Sequence, residues 1–384
     1  MDAQIRQLSA ADFDEAMEVL NLAFFADGSK DFKQWIPKLY RPTDELMSCH
    51  YAAMCEGRIR AIVGVFPLAL NIDDTQLRIA GIGGVCTHPD YQERGLMREL
   101  MPHCVNAARS EGYHLSWLGG QRQRYGYFGY EVCGTAIQFT LSRSNLRHTA
   151  GATATPGFDF EVIEESDCDR LGQVFELHNA QTMHAQRSES DLYPLLTSWN
   201  SRLYAALAGD DMVGYVVIGE QSMLCELVGE DADTELAIAR AWVEGDGDLA
   251  QITLRMGPLD SALQRFADIS ENTTLTRSGN WQMFDWERVV ATLLKTRLAH
   301  SPIMEGIVSV SIEGYGVLEI EVNDNEADCH LVSGTAAIEC DSLLAHRLLF
   351  GPLKPSEVIE LPAAARLLDA WCPLPLYWPT QDRV

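Results

Sequence analysis

The sequence is short of basic residues. Lys and Arg total 29 across its 384 residues, whereas Asp and Glu total 55, and the formal net charge is -26. Repulsion at long range disfavours nucleic acid or an anionic membrane as the main partner. A cationic partner fits the charge better. Acidic composition also serves solubility alone, so the charge names no substrate.

Metal-binding and membrane-spanning patterns are lacking as well. None of the ten cysteines stands in a Cys-x-x-Cys pair, so the sequence signals neither a zinc site nor a disulfide framework, and we expect no metal. No run of 18 apolar residues occurs, and Met1–Ala10 lacks the apolar core of a signal peptide. We therefore expect a cytoplasmic protein.

The length predicts more than one domain, because ordinary domains span roughly 100 to 200 residues. In the first part, Ser9 is an expected N-cap for a helix over residues 10–23. Apolar runs and turn signals then predict an antiparallel meander, a helix after Gly95 and a further strand. The expected strands cover residues 51–55, 59–72, 77–85 and 113–118.

An internal repeat extends this pattern. Tyr51-Ala52-Ala53-Met54 has a counterpart in Tyr204-Ala205-Ala206-Leu207, and each is followed by a glycine turn and a valine-rich strand. The repeat indicates a duplicated domain, with chance similarity of two short segments as the alternative. Alternating apolar residues from 308 to 322 and a helix over 342–350 predict a third, small α/β unit. The expected domains are 1–150, 151–290 and 291–384.

The segment from Gly83 to Arg98 carries the chemistry. A strand ends near Pro89, a polar loop follows, and a helix starts after Gly95. The first backbone N–H groups of a helix lack intrahelical partners and can bind a pyrophosphate, and glycine permits its close approach. Between Gln92 and Arg124 five arginines stand against three glutamates. This basic island favours a phosphorylated ligand, although an ordinary loop with a solvated helix face remains an alternative.

Two motifs in this region resemble those of a known superfamily. Gln92-x-x-Gly95-x-Met97 is similar to the acyl-CoA-binding motif Gln/Arg-x-x-Gly-x-Gly/Ala of the GNAT acetyltransferases, except that Met97 replaces a small residue. Tyr125 to Tyr130 resembles the Tyr-x-x-x-Gly-Tyr/Phe element of the same enzymes.

The chain as a whole resembles the Eis-type (enhanced intracellular survival) family. The resemblance implies an α/β (α+β) fold of two tandem GNAT-type domains with mixed central sheets flanked by helices, plus a small sterol-carrier-protein-like C-terminal domain. It also implies a homo-oligomeric N-acetyltransferase. The enzyme would move an acetyl group from acetyl-CoA to a primary amine of a cationic small molecule or a lysine side chain.

The resemblance further implies the residues of the acyl-CoA site. The backbone of one strand end would bind the pantetheine arm as an added strand would, the following turn would hold the pyrophosphate, and two residues after the next strand would lie near the acyl-CoA. The second copy has no Gln-x-x-Gly after its strand 213–218, so we expect it to be catalytically silent. The residues of the strand end are Val85, Cys86 and Thr87. Those of the turn are Gln92, Glu93, Arg94, Gly95, Leu96, Met97 and Arg98. The two residues after the next strand are Gly120 and Gln121.

Acyl transfer to an amine needs an oxyanion donor, an acid for the departing thiolate and a neutral nucleophile. The Val85 N–H is our candidate for the oxyanion. Tyr125 is our candidate general acid, with the alternative that it is a packed aromatic, a role for which Tyr127 or Tyr130 would be the first suspects. The resemblance implies the terminal carboxylate, here of Val384, as the base, although the family ends in an aromatic residue. A free tail is the alternative.

Two functions of another class remain open. A lipid or hydrophobic-ligand carrier is suggested by the C-terminal resemblance alone and requires a large apolar cavity within residues 300–370. A protein that binds acyl-CoA without turning it over requires that Tyr125 lie away from the acyl carbon.

Overall fold

The computed structural model describes residues 3–148, 157–245 and 251–384. The chain falls into two compact units. The first consists of Met1–Gly134, Ser278–Pro375 and Arg383–Val384, and the second of Thr135–Arg277 and Leu376–Asp382. These limits differ from the boundaries expected at residues 150 and 290, and the division into three functional domains stays a prediction.

The first 134 residues form a meander followed by a helix and a fourth neighbouring strand, as the apolar pattern predicts. The strands are β1 (Gln4–Gln7), β2 (His50–Cys55), β3 (Arg58–Ile72), β4 (Thr75–Thr87), β5 (Leu115–Leu118) and β6 (Glu131–Cys133). The helices are α1 (Phe13–Phe24), α2 (Phe32–Trp35), α3 (Asp44–Met47), α4 (Leu96–Ser110) and α5 (Arg122–Tyr125).

Residues 135–277 repeat this alternation. The strands are β7 (Ala136–Ser142), β8 (Asp159–Val162), β9 (Met183–Ala185), β10 (Arg202–Ala208), β11 (Asp211–Ile218), β12 (Met223–Gly229), β13 (Gln251–Met256) and β14 (Asn272–Thr276). The helices are α6 (Arg143–His148), α7 (Cys168–Asn179), α8 (Leu192–Leu196), α9 (Ala232–Gly245) and α10 (Leu263–Ile269).

The last part contributes one strand to the first unit's large sheet and builds a small sheet of its own, ordered β18-β17-β16-β19. The strands and the helix expected between 308 and 350 are confirmed, and the likeness to a sterol carrier stays a prediction. The strands are β15 (Gly279–Met283), β16 (Gly306–Ile312), β17 (Gly316–Asn323), β18 (Glu326–Val332) and β19 (Ile338–Cys340); the helices are α11 (Trp286–His300), α12 (Ser342–Phe350), α13 (Pro355–Val358) and α14 (Leu368–Trp371).

The two large sheets have the same strand order. The first runs β1-β2-β3-β4-β5-β15-β6 and the second β8-β10-β11-β12-β13-β7-β14. In both, a parallel pair follows the meander: β4 with β5, and β12 with β13. This agreement supports duplication over chance similarity and confirms the predicted α/β class with mixed sheets.

In each repeat, the last strand lies in the sheet of the other repeat. β7 follows β6 in sequence but lies in the second sheet between β13 and β14, whereas β15 follows β14 but lies in the first sheet between β5 and β6. The two halves have therefore exchanged equivalent strands.

The core of the first unit lies between its sheet and α4. The helix buries an apolar face at helical spacing against the meander strands, and Tyr125 and Tyr130 close the same cluster near the end of β5. This packing fixes the start of α4 relative to the end of β4. The buried residues of α4 are Leu96, Leu100, Met101, Cys104, Val105 and Ala108.

A buried ion cluster holds the chain's tail within the second unit. The Arg187 guanidinium donates to both carboxylate oxygens of Asp382, at 3.0 and 2.7 Å, and to both of Glu226. The Gln381 amide donates to three backbone carbonyls, those of Leu195, Leu196 and Ser198. The tail is thus packed against the protein, as its apolar composition predicts, and is not free.

Two carboxyl groups lie close together at the ends of β12 and β13 in the second unit. Glu235 accepts a hydrogen bond from the Gly229 N–H at 3.3 Å, and Asp260 accepts one from the Ala262 N–H at 2.9 Å. Burial, and then the neighbouring Asp260, raise the pKa of Glu235 to about 8. Burial raises the pKa of Asp260 as well. Glu235 is therefore uncharged in the folded protein at neutral pH.

We expect Glu235→Gln to stabilise the protein at alkaline pH. A carboxyl whose pKa is higher folded than unfolded loses stability as the pH rises from its unfolded pKa, near 4.5, to its folded pKa, near 8. Glutamine avoids that loss and keeps the acceptor oxygen. Urea unfolding should show a gain of about 5 kcal/mol at pH 9 and less than about 1 kcal/mol at pH 5. Exposed Glu176 provides the control, and an equal gain for Glu176→Gln at pH 9 would contradict the assignment.

Candidate active site

The parallel strands β4 and β5 separate at one end. Their paired residues run from Ile79 with Leu115 to Ile82 with Leu118, where β5 ends. β4 continues to Thr87 along β3, so in the described sheet its last residues have no partner on the β5 side. A strand edge of this kind offers backbone N–H and C=O groups to an extended ligand.

A β-bulge lies in β4 just beyond this separation. Gly64 is paired with Gly83, but Ile62 is paired with Cys86, so the two residues Gly84–Val85 stand against one residue of β3. Gly84 has a φ of +58°. A Cβ atom there would lie 2.6 Å from the Tyr40 hydroxyl oxygen, so this bulge needs glycine on both counts. Bulges leave one residue outside the regular ladder, which suits the Val85 N–H for an oxyanion.

The loop after β4 turns twice through the left-handed region before α4 begins. Glu93 has a φ of +62° and Gly95 a φ of +86°, and a Cβ on Gly95 would meet no atom within 4 Å. The space beside the helix start is therefore open. Leu96 is buried in the core and Met97 packs against it, so the side chain of Met97, which departs from the family motif, contacts the core.

The side chains of the predicted CoA-binding residues differ in exposure. Gln92, Glu93, Arg94 and Arg98 are exposed, whereas Val85 and Thr87 are partly buried. Burial raises the pKa of the Cys86 thiol to about 12. A thiol with this pKa is protonated and unreactive at neutral pH, so only its backbone can serve the site.

Gly120 and Tyr125 pack directly on each other after β5. A Cβ on Gly120 would lie 2.5 Å from Cε2 of Tyr125, so only a glycine lets the backbone approach this ring. Gln121 starts the turn, and its carbonyl accepts the Tyr125 N–H at 3.3 Å. The turn is clamped to β6, because Arg122 donates to both oxygens of buried Glu131, at 2.6 and 2.9 Å. These contacts fix the orientation of the phenol.

Tyr125 is buried but keeps a free hydroxyl. Its side chain is 7% exposed, and in the described part of the chain no atom hydrogen-bonds its hydroxyl group. Burial raises the pKa of Tyr125. The phenol is therefore protonated at neutral pH, which is the form that a general acid requires.

The other two tyrosines of the motif have different surroundings. Tyr130 is fully buried, and its hydroxyl hydrogen-bonds Ser116 Oγ at 2.7 Å, which in turn donates to the Ala80 carbonyl. Tyr130 is thus the packed tyrosine. Tyr127 is 89% exposed, so of the two tyrosines named as candidates for the packing role, Tyr130 fills it and Tyr127 does not. The reason is the turn of Gly126–Phe128, which carries its side chain out of the core.

The carboxyl group of Val384 lies beside the open end of β4. A Cβ on Gly83 would stand 2.7 Å from the Val384 carboxyl carbon and 3.2 Å from its oxygen, and a Cβ on Gly81 would stand 2.9 Å from its Cγ2. Two glycines on one face of the strand make room for the terminus. The structure therefore brings a carboxylate to the strand that carries Val85.

An aromatic cluster that the sequence interpretation missed borders this end of β4. Ring centroids lie 5.1 Å apart for Phe25 with Trp35 and for Phe32 with Tyr40, and Tyr40 also contacts Phe66. The cluster reaches the strand where Tyr40 meets Gly84. The density of aromatic residues between positions 24 and 40 was the available signal.

No group of three or more His, Cys, Asp or Glu side chains in the described ranges is arranged to hold a metal ion. No helix in those ranges is long and apolar enough to span a bilayer.

The sequence family described as "Acetyltransferase (GNAT) domain" matches residues 4–133. This range contains the diverging strands, the bulge, the loop before α4 and Tyr125. The first unit therefore carries a GNAT acetyltransferase domain, and the predicted enzyme class, acyltransferase, is confirmed. GNAT domains use acetyl-CoA. Among curated proteins, no sequence matched the chain.

Solved structures that are similar over nearly the whole chain include the following three. A GCN5-related N-acetyltransferase from Kribbella flavida is 19% identical, with a TM-score of 0.66, and 96% of this chain and 95% of that one are covered. Another from Anabaena variabilis ATCC 29413 is 14% identical, with a TM-score of 0.70 and 98% of each chain covered. Eis1 from Mycobacterium abscessus is 15% identical, with a TM-score of 0.67 and 96% of each covered. At these identities the likeness establishes the fold.

We expect Gly84→Ala to lower the free energy of unfolding. The loss should exceed the cost of placing an alanine at a positive φ. The substitution adds left-handed strain, about 1 kcal/mol, and forces the new methyl group against the Tyr40 hydroxyl. Gly57→Ala is the matched control, because Gly57 has a φ of +73° and no atom within 4 Å of the added carbon. In urea unfolding Gly84→Ala should lose roughly twice as much as Gly57→Ala. Tyr40→Phe should restore part of the difference, and its failure to do so would contradict the proposed overlap.

Proposed function

We propose that the protein transfers the acetyl group of acetyl-CoA to a primary amine of a cationic small molecule or a lysine side chain. The observation that carries this proposal is the open, bulged end of β4 beside the exposed loop Gln92–Arg98, within the range matched to a GNAT domain. In this proposal the pantetheine arm pairs with the backbone of Val85, Cys86 and Thr87 in place of the missing strand. The loop amides bind the pyrophosphate.

The amine nitrogen attacks the thioester carbonyl carbon, and the carbonyl oxygen takes the negative charge of a tetrahedral intermediate. The Val85 N–H donates a hydrogen bond to this oxyanion. When the intermediate collapses, the carbon–sulfur bond breaks and Tyr125 passes its hydroxyl proton to the CoA thiolate. The unpartnered hydroxyl and the fixed turn of Tyr125 support that assignment.

The Val384 carboxylate accepts the proton that the amine loses on attack. Carboxylates are weak bases in water, but loss of hydration strengthens them. The terminus is partly buried against Gly83, and the Phe66 ring lies beside the same glycine.

A cationic acceptor suits both the charge and the aromatic cluster. The protein's net charge of -26 attracts cations at long range. At short range aromatic faces bind them, and the Lys30 ammonium already lies 4.5 Å from the Trp35 ring centroid. Homo-oligomer formation, a cytoplasmic location, a silent second GNAT-like domain and a sterol-carrier-like C-terminal domain complete the proposal.

The enzyme is tested by acetyl-CoA-dependent release of free CoA in the presence of a panel of amines: a polyamine, an aminoglycoside, a lysine peptide and a neutral alcohol. We expect release with cationic amines and none with the alcohol. Calorimetric uptake of acetyl-CoA without release for any amine would favour a binding protein instead.

Tyr125→Phe should lower kcat at least about tenfold while leaving the Kd for CoA unchanged, since a general acid contributes at this scale or above. Tyr127→Phe removes the same hydroxyl from an exposed ring of the same motif and should keep full activity. Steady-state kinetics and calorimetry measure the two quantities. Equal kcat for Tyr125→Phe and the wild type would remove Tyr125 from the mechanism.

Moving the terminal carboxylate should also lower kcat. Two glycines added after Val384 shift the carboxylate away from β4, and Gly83→Ala displaces it from the other side; we expect at least about a tenfold loss for each. Val384→Ala keeps the carboxylate in place and should retain most of the activity. If the extended protein turns over as fast as the wild type, a water chain and not the terminus deprotonates the amine.

A further inference from the structure

An arginine outside the family motif lies at the base of the CoA loop. Arg60 belongs to β3, and its carbonyl accepts the His88 N–H at 2.8 Å, where β4 ends and the loop begins. Its guanidinium carbon lies 4.4 Å from the centroid of the Tyr91 ring. The guanidinium carbon of Arg94 lies at the same distance from the same ring. Tyr91 thus gathers two cations beside the turn.

The contacts with Tyr91 leave the guanidinium N–H groups of Arg60 and Arg94 available to other partners. A guanidinium above an aromatic ring is bound through the π face, so its N–H groups remain available as donors. Within the described ranges, neither Arg60 nor Arg94 forms an ion pair, and Arg94 donates only to the Asp90 carbonyl, at 2.8 Å. Arg60 Nε is buried and has no hydrogen-bond partner there. In so acidic a protein, two arginines without carboxylate partners are an unusual placement.

The acidic side chains of the loop do not neutralise Arg60 and Arg94. The Asp90 carboxylate lies 4.0 Å from His88 Nδ1 and is otherwise exposed. Glu93 is exposed on the left-handed turn. The charges of both arginines are therefore directed to something outside the chain, and a phosphate monoester with two negative charges matches two guanidinium groups.

We propose that Arg60, with Arg94 and held by Tyr91, binds the 3′-phosphate of coenzyme A. The inference rests on the proposed acetyl-CoA site. There the loop amides take the pyrophosphate, and the ribose with its 3′-phosphate is the next part of the nucleotide after it. Arg60 reaches the loop from β3 and contacts the same Tyr91 ring as Arg94, and so adds a charge at the nucleotide end of the site and not at the reacting end.

The test is calorimetric titration of the full-length protein with CoA and with 3′-dephospho-CoA. We expect the wild type to bind CoA at least about tenfold more tightly. Arg60→Gln should weaken CoA about tenfold and leave 3′-dephospho-CoA unchanged, whereas Arg60→Lys should recover part of the loss. The preference should shrink as salt is raised, because exposed charges are screened.

Arg78→Gln is the matched control, since Arg78 also stacks on a tyrosine, Tyr113, but near the other end of β4. It should keep the wild-type preference. Equal binding of both nucleotides by the wild type, or an equal loss of both in Arg60→Gln, would overturn the inference and leave the acetyl-CoA site intact. Binding of neither nucleotide by the wild type would instead refute the proposed function.

Discussion

The early end of β5 is the constraint on which the rest of the active unit depends. β5 stops at Leu118 because Gly119 and Gly120 follow it, and the second of these packs its backbone on the Tyr125 ring. β4 therefore continues past Ile82 with β3 as its neighbour on one side and without β5 on the other. The same short strand leaves the end of β4 open on one side and brings the Gly120 backbone against the Tyr125 ring. One local event thus shapes both the open strand edge and the surroundings of Tyr125.

The second sheet has a similar parallel pair of strands but different residues beside it. β12 and β13 pair in parallel as β4 and β5 do, yet the segment before α9 carries acids. Asp231 accepts the Thr234 N–H at 2.7 Å and Glu235 accepts that of Gly229. The Asp231 carboxylate thus accepts an N–H of the first turn of α9 and repels phosphate there. A silent second domain stays a prediction.

Sequence patterns were sufficient for much of the local structure. Periodicity predicts the meander and α4, and the Gln92 to Arg98 motif marks a loop with the left-handed turns that its glycine permits. The Arg60–Tyr91 contact could not be predicted, because it joins residues far apart in sequence and depends on strand register. Which of Tyr127 and Tyr130 is buried could not be predicted either, because a short turn decides which ring faces the core.

The placement of the strands in the two sheets could not be predicted from the sequence either. The repeat of Tyr51 and Tyr204 indicates duplication, but nothing in the residues of β7 or β15 says that each is placed in the other half's sheet. Domain boundaries drawn along the sequence therefore differ from the compact units.

This exchange has a consequence for how the protein is made. The first sheet lacks its strand between β5 and β6 until Gly279–Met283 has been synthesised, which at ordinary translation speeds is on the order of ten seconds after β6. The GNAT half cannot be completed on the ribosome as a finished N-terminal domain. A gene cut between β7 and β8 would give two fragments, each of which lacks the inner strand that the other carries.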